Sequence, residues 1–81
     1  MTVTEALEHR HDTLVIWEDP WPACGPEGNH LPAHVEHRAT VHDVINMERE
    51  VYRHNGRDTD LEDRFYLEDF MTVHWARLEK K

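Results

Sequence analysis

The chain has no serine and no glutamine, a single cysteine (Cys24), and only two lysines, both at its extreme end (Lys80 and Lys81). Without serine, no serine-nucleophile triad can be built, so that class of hydrolase is excluded. One cysteine cannot close an internal disulfide, and no apolar run reaches the roughly 18–20 residues a membrane span requires. The first residues, Met-Thr-Val-Thr-Glu, lack a basic segment followed by an apolar stretch, so they do not read as a signal peptide. A cytoplasmic protein is expected. Arginine replaces lysine almost everywhere, a bias that GC-rich genomes impose. It points to an actinobacterial host, phage or mobile element.

Basic charge is also scarce. Seventeen acids oppose nine bases, for a formal charge of −8. A nucleic-acid binder needs clustered Lys and Arg against phosphate, and an anionic membrane selects the same sign, so neither partner is expected. A protein partner with a basic surface is the electrostatic match.

What is present suits one small domain spanning 1–81. Hydrophobic residues make up 38%, a thin supply, but three tryptophans, two tyrosines and two phenylalanines argue against plain disorder. Residues 13–17 (Thr-Leu-Val-Ile-Trp) form a short β-branched run read as a buried strand. Thr4 is a candidate cap for one helical turn over residues 5–8. Asp19 to Pro32 holds all four prolines and two of the three glycines, which excludes a regular element there. Residues 34–40 alternate weakly and could pair with 13–17.

The second half reads as helical. Thr40 with Asp43 resembles a capping box, Val41, Val44, Ile45, Val51 and Tyr52, with Met47 flanking, recur at helical spacing, and Asn55-Gly56 suits a helix end. This predicts a helix over 41–54. Leu67, Phe70, Met71, His74, Trp75 and Leu78 continue the same period, with acids before and Arg77, Lys80 and Lys81 after, predicting a last helix over about 60–79. The expected fold is therefore α+β with helices dominant: a short N-terminal strand or strand pair and a Pro/Gly-rich loop over 1–39, then an antiparallel αα-hairpin over 40–81.

Eight histidines stand out. Cys24, His30, His34 and His37 are a chemically competent tetrahedral set for zinc, but no Cys-x2-Cys pair accompanies them. Metal is thus the second expectation, and a Cys–His or metal-dependent enzyme the third. The leading expectation is a small acidic, non-enzymatic protein-interaction module: a regulator, inhibitor or assembly component without a cofactor. The last helix carries apolar groups on three sides, more than one hairpin partner covers, so a partner protein or a homo-oligomer is expected to cover the rest. The residues assigned to that surface are Trp21, Asp60, Glu62, Asp63, Phe65, Tyr66 and Asp69, aromatics as anchors and acids to steer association.

Overall fold

The computed structural model describes residues 1–20 and 34–81. Among them, helix α1 (Val3–Glu8) precedes strand β1 (Thr13–Pro20). Strand β2 (His34–Thr40) leads directly into helix α2 (Val41–His54), followed by helix α3 (Asp63–His74) and strand β3 (Arg77–Lys80). The strands form one antiparallel sheet in the order β2-β1-β3.

This corrects the expected architecture. The sheet has three strands rather than one or a pair, and the chain does not finish as a helical hairpin. The last helix stops at His74 because Trp75 turns left-handed (φ 53°), and the amide of Ala76 closes the end onto the Met71 carbonyl at 3.1 Å. Of residues 77–80 only Leu78 is partly shielded, and it registers against Val15 of the central strand. Period two wins over period 3.6 because β1 offers an edge to pair with. The helix also starts later than expected. The Asp58 carboxylate accepts from the Asp60 amide at 2.8 Å, holding that stretch in a side-chain-closed turn, and Glu62 becomes the residue before the helix.

Helix α2 occupies the residues its pattern predicts. The Thr40 hydroxyl accepts from the Asp43 amide at 3.2 Å, and Gly56, at φ 68°, takes the left-handed turn beyond the other end. Its inward residues Val41, Val44, Ile45 and Tyr52 meet Tyr66, Leu67 and Phe70 of α3, with Ala6 of α1 and Val15 of β1 completing the core. Thr2, not Thr4, caps α1, accepting from the Glu5 amide at 3.1 Å.

Sheet alternation sends Thr13, Val15 and Trp17 toward the helices and Leu14 and Ile16 to the opposite face. Ile16 is nonetheless only 2% exposed. Its cross-strand neighbours are Arg38 and Arg77, whose aliphatic stems flank it. Glu36 accepts from both guanidinium groups, at 2.9 Å and 3.4 Å, so a charged layer links the two outer strands across β1. Both arginines, Arg38 foremost, hold the Glu36 carboxyl below its usual range.

A second charged cluster ties the helices together. Asp63, at the start of α3, receives Arg10 from beyond α1 and Arg49 from α2, each at 2.8 Å. Arg49 also lies over the Tyr66 ring, 5.1 Å from its centroid.

Candidate functional site: an apolar cleft with a carboxyl pair on its floor

Glu48 interrupts the apolar stripe of α2, one turn beyond Val44 and one before Tyr52, and is only 7% exposed. Helix α3 brings Asp69 against it. The Glu48 carboxyl and the Tyr52 hydroxyl both hydrogen-bond to the Asp69 carboxylate. Burial, then the bond to Asp69 and its negative charge, raise Glu48 from 4.5 to about 7, with Arg57 pulling the other way. Burial, followed by the same carboxylate, raises Tyr52 as well. The Arg57 guanidinium lies over the Tyr52 ring, 4.5 Å from its centroid, and does not cancel the carboxyl pair.

These groups floor a cleft of about 450 Å³ between α2 and α3. Its aromatic wall is built from both halves of the chain: Trp17 meets the Phe70 ring edge-on at 4.9 Å, and Phe70 faces His74 at 4.2 Å. Its rim is apolar and open to water. Met47 is 42% exposed, Val51 46% and Val73 63%. A domain with few hydrophobic residues to spare leaves three of them exposed around one cleft. Chemically, the floor sets a carboxyl whose proton is held up to about pH 7 beside a second acid. It can accept a cation in that proton's place.

The residues singled out from sequence divide three ways. Asp60 and Glu62 are exposed, and Phe65 is 44% exposed. Tyr66 is fully buried within the core, and Asp63, one-third exposed, is engaged by two arginines, so both are committed to contacts within the fold. Asp69 belongs to the cleft. Trp21 lies outside the described residues. So do Cys24 and His30 of the zinc set, and the side chain of His34; the His37 ring stacks on Trp17 at 5.2 Å. Among the described residues no three His, Cys, Asp or Glu side chains converge on a metal position, and no helix is long and apolar enough to cross a membrane.

Sequence reasoning missed Glu48, Met47, Val51 and Val73 as a group. One signal was there: an acid at an inward position of an otherwise apolar helix face is costly to bury unless paired. Its partner Asp69 was not legible, because only the packing of α2 on α3 brings them together.

No protein-family model, no curated protein and no solved structure matches the chain.

Proposed function

We propose that this chain is a non-enzymatic protein-interaction module, cytoplasmic in location, that receives a basic amphipathic segment of a partner protein in the α2–α3 cleft. The observation that carries the reading is the cleft's composition: an exposed apolar rim of Met47, Val51 and Val73 over the buried Glu48–Asp69 pair. An apolar face on the incoming segment covers the rim, and a lysine or arginine replaces the Glu48 proton on the floor. Charge supports the same partner. The chain carries −8, and exposed Asp60 and Glu62 add to the field that draws in a basic surface. A regulator, inhibitor or assembly component would work in this way, by occupying a partner's basic surface.

The test uses a fluorescent synthetic helix with leucine and lysine on adjacent faces, titrated with the protein and read by anisotropy. Saturable binding is expected, weakened about 10-fold or more by Val51→Asp or Val73→Asp, since a charge on the rim meets the peptide's apolar face. Equal binding by these variants, or by a peptide with acetylated lysines, would overturn the reading.

A further inference from the structure

Trp75 is 91% exposed, the largest apolar side chain standing in water among the described residues, and its φ of 53° is a conformation that favours glycine. Packing among the described residues does not account for a tryptophan there. Two residues later begins β3. Among the described residues, β3 has a neighbouring strand on one side only, β1, so its other edge presents backbone groups without a ladder. At the far end of β3 lies a cavity of about 620 Å³, lined by Lys80 and Lys81 together with Met1, Glu5, His9 and Asp12. The strand thus carries a protruding indole at one end and a cavity at the other.

An antiparallel two-fold pairing of this edge with itself joins those two ends. With the axis at Leu78, Arg77 of each copy faces Glu79 of the other, Leu78 faces Leu78, and Ala76 faces Lys80. Trp75, which precedes the strand, comes to the Lys80–Lys81 end of the other copy, where the cavity opens. The facing pairs are an ion pair made twice and an apolar contact, with cations near each indole, all favourable contacts. Moving the axis to Arg77 or to Glu79 would set that charged residue against its own copy, a like-charge pair, so the side chains favour the register centred on Leu78.

We propose that a second copy of this chain docks along the β3 edge, joining the two sheets into one of six strands, with Trp75 of each copy seated in the cavity beside Lys80 and Lys81 of the other. The interface is isologous, as a two-fold requires, and it leaves the α2–α3 cleft outside the paired residues.

Sedimentation of the full chain across about 5 to 500 µM tests this directly, with folding of every variant checked by circular dichroism. The mass is expected to rise from 9.7 kDa toward twice that value. Trp75→Ala should weaken association about 10-fold or more, as loss of a central aromatic anchor does. Arg77→Glu or Glu79→Arg alone should also weaken it, and the two combined should restore it, because the facing pair is then re-formed with its signs exchanged. A chain that stays monomeric throughout overturns the proposal. So does an association indifferent to Trp75→Ala and to the single charge reversals, which would place the contact on the β2 edge or elsewhere. No peptide is involved, so either result leaves the cleft reading to be judged separately.

Discussion

Glu48 binds a proton in the folded chain up to about pH 7, whereas the ordinary carboxyl of an unfolded chain releases it near 4.5. Between those values the folded state holds the extra proton, so stability falls as pH rises through that window, and the deficit is complete above it. Replacing Glu48 by Gln keeps a donor to Asp69 and removes the titration. Urea unfolding at about pH 5 and about pH 8.5 should show the wild type losing on the order of 2 kcal/mol more than Glu48→Gln across that interval. Parallel pH profiles for the two proteins would mean that Glu48 ionises as it does in water. Asp63 contributes through direct ion pairs. Two arginines bond to it, all three groups about one-third exposed, so Asp63→Asn should cost about 1 kcal/mol, while Asp60→Asn, on an exposed turn, should stay within about 0.5. The same unfolding measurement, made at neutral pH, separates the two.

At the scale of elements, what could be read from sequence was what local residues decide. Helix α2 carries its own cap in Thr40, its own apolar stripe and its own stop at Asn55-Gly56, so its limits were visible before any tertiary contact was known. Thr40→Ala should therefore destabilise the protein by about 1 kcal/mol in thermal or chemical unfolding, the ordinary loss of a capping hydroxyl. The passage from α3 to β3 was not visible, because it is decided by β1. Trp75 lacks the sequence signature of a helix end, and the spacing of Phe70, Met71, His74, Trp75 and Leu78 fits a longer helix. Only pairing of Leu78 with Val15 makes the strand preferable. Trp75→Gly tests the physical reason for that stop. Glycine removes the left-handed penalty but adds freedom to the unfolded chain, and an indole 91% exposed has little packing to lose. The net expectation is a monomer more stable by about 0.5 kcal/mol. A loss of more than about 1 kcal/mol would show that Trp75 packs on its own subunit.

Across the described residues, the fold collects most of its scarce apolar side chains into one core beneath the sheet and leaves others exposed, among them the rim of the α2–α3 cleft, Phe65, and Trp75 just before β3. The cleft was only partly legible. Its walls come from residues as far apart in the chain as Trp17, Glu48 and Asp69, and no spacing rule links them. The net charge was legible outright, and it makes its own prediction. Association with a basic peptide should slow as salt rises from about 20 to about 300 mM while dissociation changes little, as long-range steering requires. The most direct measurement of the central claim is the affinity of the leucine–lysine peptide at about pH 6 and about pH 8, for the wild type and for Glu48→Gln at one ionic strength. His74 shares the cleft and is present in both proteins, so the difference between them reports Glu48. The account predicts that wild-type binding tightens as Glu48 gives up its proton through about pH 7, and that the Gln variant shows a clearly smaller change. Identical pH responses in the two proteins would contradict it.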